Sequence, residues 1–391
     1  MVRSWALITL TALAAASTSR AACDDIDQLL NIPSPMTEDT IVDLDSVDQI
    51  ECAPIGDDDE YLEEVVVDGG YTLTLKSSSS VRFVNIGFTV TSGTSLVFDM
   101  PTTNFGPNEE GHHRTSYRSA VVEIEEGASA VFNGDVVAME VSNCLSIFMN
   151  SGSLELKKTA HFENGGNVFR VNTGTVKFRG DATFKDHTYL AVQNEESGYF
   201  RFSGDVVFDN NASNFDGAYG CGAANRGADT KIVFRGDVVF KNGDCGEGVA
   251  MYNEGTANFY GKAYFDDNVY RGNGGAVSNV GGTMKFSKAV QFNNNRAGGY
   301  GGGIGVEGGG AVRFKKSVTF DGNYADSGAA FAVLDEGSTL TFEKPSVVRY
   351  RNGETFDDQY SDDDNCLFGQ VDEGAIVNGF TGDEICIPLQ Q

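Results

Sequence analysis

Between about residues 118 and 350, apolar side chains recur at fixed offsets within units of 22–32 residues. Nine units align on one large apolar residue: Phe132, Leu156, Phe178, Phe202, Phe234, Phe259, Phe286, Phe314 and Phe342. A second apolar residue follows six positions later, at Ala138, Phe162, Phe184, Phe208, Phe240, Phe265, Phe292, Phe320 and Val348. Small or aliphatic residues stand at −2 and +4, as Val176 and Ala182 do around Phe178. Offsets of −2, 0, +4 and +6 share one parity, which is the period-2 signature of strands with one buried face. Gly or Lys at +2, as in Gly180, Gly236 and Lys288, predicts a tight corner between two short strands. An upstream segment ends in Gly, from Gly127 to Gly337, with Asn two residues earlier at Asn150, Asn172, Asn225, Asn253 and Asn279. Gly and Asn tolerate left-handed backbone, so a second corner is predicted there.

Each unit therefore reads as three short strands separated by corners. Three strands of this length cannot bury a face alone, but like-on-like stacking of units makes one continuous core. The predicted fold is all-β: a single-stranded right-handed parallel β-helix of about nine clear coils, with irregular N-terminal coils and caps. The hand follows from the crossover preference of parallel strands. The units are too short for four-stranded propeller blades, and the leucine-asparagine signature of leucine-rich repeats is absent.

Two tetrapeptides sharpen this picture. Phe-x-x-Asn occurs at Phe208–Asn211, Phe265–Asn268, Phe292–Asn295 and Phe320–Asn323. Gly-Gly-Ala-Val occurs at Gly274–Val277, with the variant Gly-Gly-Gly-Ile at Gly301–Ile304. This alternation resembles the repeats of chlamydial polymorphic outer membrane proteins and of right-handed β-helix proteins of the pectin-lyase-like group. The full double motif covers roughly 208–323. The resemblance implies a passenger-like β-helix with a surface or secreted role. It does not imply outer-membrane anchoring, because this chain shows no segment for the autotransporter barrel of that family.

Residues 1–21 read as a secretory signal peptide: Arg3 precedes the apolar run Trp5–Ala16, and small residues Ser19 and Ala21 follow at the −3 and −1 positions. The run is well short of the ~20 residues of a membrane span. Residues 22–64 are acidic and read as a cap or leader, 65–350 as the β-helix, and 351–391 as an acidic, cysteine-containing C-terminal cap. Residues 101–117 read as a loop insertion. A secreted or cell-surface chain makes disulfides the default for seven cysteines. Local pairing predicts Cys23–Cys52, Cys221–Cys245 and Cys366–Cys386, leaving Cys144 alone.

The formal net charge is −28. Nucleic acid needs a basic surface and is a poor partner, and polyanionic polymers such as polyuronates or sulfated glycans are disfavoured over most of the surface. An extracellular polysaccharide or a surface protein is the expected partner class. The charge is patterned: Asp135, Asp181, Asp205 and Asp237 recur just after the corner Gly, while Lys288, Lys316 and Lys344 hold the corner itself in the last units. A solvated, aggregation-resistant face accounts for the aspartate row. Calcium bridging by Asp181, Asp205 and Asp237 is the weaker alternative, since the calcium-binding nonapeptide pattern is absent. No other cofactor is expected.

Catalytic candidates are few. Arg179–Asp181 and Arg235–Asp237 are Arg-Gly-Asp tripeptides, and both fall on the repeat's Gly-Asp corner, which explains them without adhesion. His112 and His113 lie beside Glu109 and Glu110 in the insertion, and His161 and His187 stand alone. Gly298–Gly310 lacks the Lys-Ser/Thr ending of a phosphate-binding loop. Sugar stacking would depend on Tyr252, Tyr260, Tyr264 and Tyr270. Asn211-Ala212-Ser213 is a glycosylation sequon, although Asn211 is also a repeat Asn. The leading expectation is a non-enzymatic structural, wall-associated or adhesive protein. The alternative is a polysaccharide lyase, hydrolase or epimerase, which would set carboxylates, or a carboxylate with a base, across adjacent coils.

Overall fold

The computed structural model describes residues 6–9, 32, 35–45, 47–51, 63–84, 86–106, 120–139, 146–212, 221–245, 250–344, 347–349, 369–379 and 385–386. Every strand pairing in it is parallel, and each strand pairs with its counterpart in the next repeat. The architecture is an all-β parallel β-helix. The chain falls into two compact units, residues 1–183 with 198–204, and residues 184–197 with 205–391.

Both units are built from one coil. An entry strand such as Val277–Val280 leads through a glycine corner to a middle strand, Thr283–Phe286. A second corner leads to an exit strand, Val290–Asn293. Among the described side chains, the apolar positions read from the sequence point inward: in this coil Met284, Phe286, Val290 and Phe292 are buried. Because every coil repeats them in register, like residues stack. In the second unit the exit-strand rings of Phe184, Phe208, Phe240, Phe265, Phe292 and Phe320 form one column, with successive centroids 4.5–5.2 Å apart. A second column runs through Phe234, Phe259, Phe286, Phe314 and Phe342. Edge-on contacts join the two columns, as between Phe265 and Phe286. Aromatic rings favour such offset and edge arrangements.

The two kinds of corner work differently. The corner glycine at +2 does not have a left-handed backbone. Instead, a Cβ on Gly261 would lie 2.0 Å from the Gly236 carbonyl oxygen of the preceding coil, so glycine permits close coil-to-coil approach. Left-handed backbone occurs at the upstream corner, where Gly127, Gly227, Gly281, Gly308 and Gly337 have positive φ as the sequence predicts, and also after the exit strand, where Asn164, Asp186, Asn210, Asn242, Asp267 and Asn294 have φ of 51–57°. Asn and Asp tolerate that conformation best among residues with a Cβ. Each stands two residues after an inward Phe, which accounts for the third position of Phe-x-x-Asn. In Gly-Gly-Gly-Ile, Gly303 packs beneath an aromatic: its Cβ would lie 3.0 Å from the Phe320 ring.

The upstream asparagines are strand residues rather than corner residues. Asn194, Asn225, Asn253 and Asn279 are fully buried and joined by Nδ2–Oδ1 hydrogen bonds of 2.7 Å. Asn172 does not belong to this kind of row, because the register partner of Asn150 is Val171. Asn194 does belong, and the two-before-Gly rule passed over it.

The repeat also extends beyond the limits read from the sequence. Thr40–Asp43 and Gln49–Glu51, in the segment read as a leader, are strands in coil register. Thr102–Phe105, read as part of a loop, is an exit strand with Phe105 buried; residues 107–119 lie outside the described residues. Gly369–Val371 and Ile376–Asn378 continue the coil within the segment read as a C-terminal cap. Ala6–Thr9, inside the stretch read as a signal peptide, lies parallel to Thr40–Asp43. No helix among the described residues is long and apolar enough to cross a membrane.

Candidate functional site

The outward side chains of the exit strands line a groove in the second unit. It has a volume of about 490 Å3 and spans three successive coils. The exit strands Ala263–Asp266, Val290–Asn293 and Val318–Asp321 alternate inward and outward, so Gln291, Asn293, Thr319 and Asp321 face solvent beside Asp266. The left-handed corner adds Asp267 and Asn294. Asn293 Nδ2 donates to Asp266 Oδ1 at 2.7 Å. Partial burial raises the Asp266 pKa, with the Asp267 charge adding to the rise; the Asn293 bond and Lys241 oppose it. Carboxylate and amide groups of this kind can bind hydroxyl-rich or hydrated ligands.

The Asp266 shift predicts the direction of a pH effect. A carboxyl whose pKa is higher in the folded state adds stability below its unfolded pKa, and that stability is lost as pH rises through the folded value. Asp266→Asn should therefore raise the melting temperature at neutral pH while keeping an oxygen for Asn293. The gain should shrink below about pH 4, where the wild-type carboxyl is itself neutral. Thermal melts across pH test this, and an Asn variant less stable than wild type at pH 7 would contradict it.

The aspartate row makes hydrogen bonds between coils. Asp135 Oδ1 accepts from the Thr159 amide at 3.0 Å and from its hydroxyl at 2.6 Å. Asp205 Oδ1 accepts from the Asp237 amide, and Asp237 Oδ1 from the Lys262 amide, both at 2.7 Å. In the other unit, a Cβ on Gly204 would fall 2.5 Å from Asp181 Oδ1. Asp135, Asp205 and Asp237 thus cap backbone donors of the next coil. Among the described residues no group of three or more His, Cys, Asp or Glu side chains could hold a metal ion. Chelation by EDTA is expected to leave the melting curve unchanged. A fall of several degrees would assign Asp181, Asp205 and Asp237 to calcium.

The remaining candidates are scattered. In the Arg-Gly-Asp segments Arg179 pairs with Glu155 at 2.6 Å, and the Arg235 guanidinium lies 4.3 Å from the centre of the Tyr260 ring. His161 meets Glu163 at 3.0 Å, and His187 is buried. His112 and His113, with Glu109 and Glu110, lie outside the described residues. The tyrosines do not make a platform: Tyr252 and Tyr270 are buried, whereas Tyr260 is 39% exposed. Tyr252 donates to Glu254. Asn211 is buried, and its Nδ2 donates to the Phe184 carbonyl at 3.2 Å, so the sequon nitrogen is engaged in the fold. Cys221 is buried, disulfide-bonded and packed against Tyr270. The side chains of Cys245 and of the other candidate cysteines, Cys23, Cys52, Cys144, Cys366 and Cys386, lie outside those described.

The sequence reading did not find the groove. Its signal is the run of Asp, Asn and Gln one residue before or after each exit-strand Phe, which resembles ordinary solvated polarity. Comparison with protein-family models, curated proteins and solved structures found no match.

Proposed function

We propose that the chain is a secreted, non-enzymatic β-helix with a structural, surface-associated or adhesive role. The observation that carries this reading is the use of its polar rows. The aspartate row and the buried asparagine rows bond one coil to the next, as architecture requires. What faces outward is a long, regular side-chain surface suited to contact over an extended partner. The Phe-x-x-Asn and Gly-Gly-Ala-aliphatic tetrapeptides support kinship with polymorphic outer-membrane-protein and pectin-lyase-like β-helices. The signal-peptide pattern and the disulfide at Cys221 support an oxidising, extracellular setting.

The groove favours a second reading, a carbohydrate-active enzyme using Asp266 as its proton-carrying group, because burial raises that carboxyl's pKa. Incubation with a polysaccharide panel, scored for new reducing ends and unsaturated products, separates the two. The non-enzymatic reading expects retention on cell-surface or wall material with no product. Turnover lost in Asp266→Asn or Asp321→Asn would establish the enzyme instead.

A further inference from the structure

The chain has twice as many acidic as basic residues, 56 against 28. One face of the second unit reverses that balance. The middle strands Lys231–Phe234, Thr256–Phe259, Thr283–Phe286 and Ala311–Phe314 are consecutive neighbours in register. Their inward positions hold the aromatic column. Their outward positions, counted through the residue after each Phe, carry Lys231, Arg235, Lys285, Arg313 and Lys315 and no acid. The adjoining corner adds Lys262, Lys288 and Lys316. Of the acids that border this set, Glu343 pairs with Arg313, the Asp237 carboxylate accepts the Lys262 amide, and Asp229 lies exposed two residues before Lys231. Among the described residues Lys262, Lys285, Lys288, Lys315 and Lys316 have no ion-pair partner.

We propose that this face binds a linear anionic polysaccharide running along the stack of coils. This deepens the reading of the chain as a surface-binding protein and rests on it. Register sets Lys285 beside Arg313, and the Lys315 amide bonds the Phe286 carbonyl, so the cationic rows continue from coil to coil. Coils repeat at about 4.8 Å, the spacing of hydrogen-bonded strands. That is close to the length of one sugar residue, so a chain bearing a carboxylate or sulfate on each sugar meets a cation at nearly every coil. Backbone groups within the sheet are already paired on both sides, which leaves side chains as the contacts and disfavours an added peptide strand. Tyr260, exposed with Arg235 across its ring, offers one surface for sugar stacking. A lone exposed aromatic does not make the stacking series that binds single-stranded nucleic acid. The acidic groove on the neighbouring exit strands repels the polymer as well, and so confines it to the basic face.

The test uses the purified full chain on immobilised dextran sulfate, alginate and neutral dextran across a salt series. Retention on one or both polyanions, weakened by salt and absent on neutral dextran, is expected; which polyanion is held identifies sulfate or carboxylate as the preferred group. Lys285→Glu with Lys315→Glu should cut affinity about tenfold or more, whereas the same charge change made elsewhere, Lys76→Glu with Arg271→Glu, should not. Unchanged melting temperatures keep folding out of the comparison. Failure to bind either polyanion at low salt overturns the assignment, as does equal loss in both double variants or tighter retention of duplex DNA. A chain that holds cell-surface material but ignores both polyanions loses this partner class and keeps the surface-binding reading.

Discussion

Phe265→Ala is expected to destabilise the fold by about 3–5 kcal/mol, the range for truncating a large buried aromatic. The ring is fully buried, with its centre 5.2 Å from that of Phe240 and 4.9 Å from that of Phe292. It also meets Phe259 and Phe286 edge-on. Burying such a ring contributes roughly 1.5–3 kcal/mol by area alone. The cavity adds to the loss, because neighbours held in register by their own coils cannot collapse into it. Tyr264 is one residue away on the same strand and points outward, so Tyr264→Ala should cost no more than about 1 kcal/mol. Urea unfolding of the two variants gives the comparison. Equal losses would mean that the inward register is wrong.

The aromatic columns were legible because apolar burial writes itself into sequence at period 2 and at the repeat length. One side chain per position was enough, as Phe265 and Phe292 show. The polar rows were harder to read. Asn253 and Asn268 look alike in sequence. One is a strand residue in the entry-side row, and the other closes the exit-side corner. Asp237 reads in sequence as a solvated acid or a cation ligand, whereas its oxygen accepts from the Lys262 amide. Such distinctions depend on where hydrogen-bond donors of the neighbouring coil fall, which no single repeat contains. The limits of the fold were misread for a related reason. Thr40–Asp43 and Ile376–Asn378 lack the large aromatic, yet they are strands because the adjacent coil supplies a paired edge. The groove at Asp266 and the basic face at Lys285 were missed because both are made of outward residues. Their meaning comes from neighbours about one repeat apart.

The exit-side asparagine row leads to the second large effect. Asn295 is fully buried and joins three coils. Its Oδ1 accepts from the Asn268 amide at 3.1 Å and from Asn268 Nδ2 at 2.8 Å. Its Nδ2 donates to the Phe265 carbonyl at 2.8 Å and to Asn323 Oδ1 at 2.9 Å. Asn295→Ala removes the acceptor of the Asn268 amide and the donor to the Phe265 carbonyl, in a place water does not reach. Each buried group left unpaired costs about 1–3 kcal/mol, so a loss of roughly 2–5 kcal/mol is expected. Its neighbour Asn294 separates this from a general sensitivity of the corner. Asn294 has φ of 53° and faces the groove, so its residue type is set by backbone conformation. Asn294→Gly should be nearly neutral, because glycine enters the left-handed region without steric cost. Asn294→Val should cost about 1–2 kcal/mol. If Asn295→Ala and Asn294→Gly proved equally mild, the asparagine row would be a passenger of the aromatic core rather than a bond between coils. If only Asn295→Ala is severe, the fourth position of Phe-x-x-Asn is asparagine because one amide can serve the coil before it and the coil after it at once.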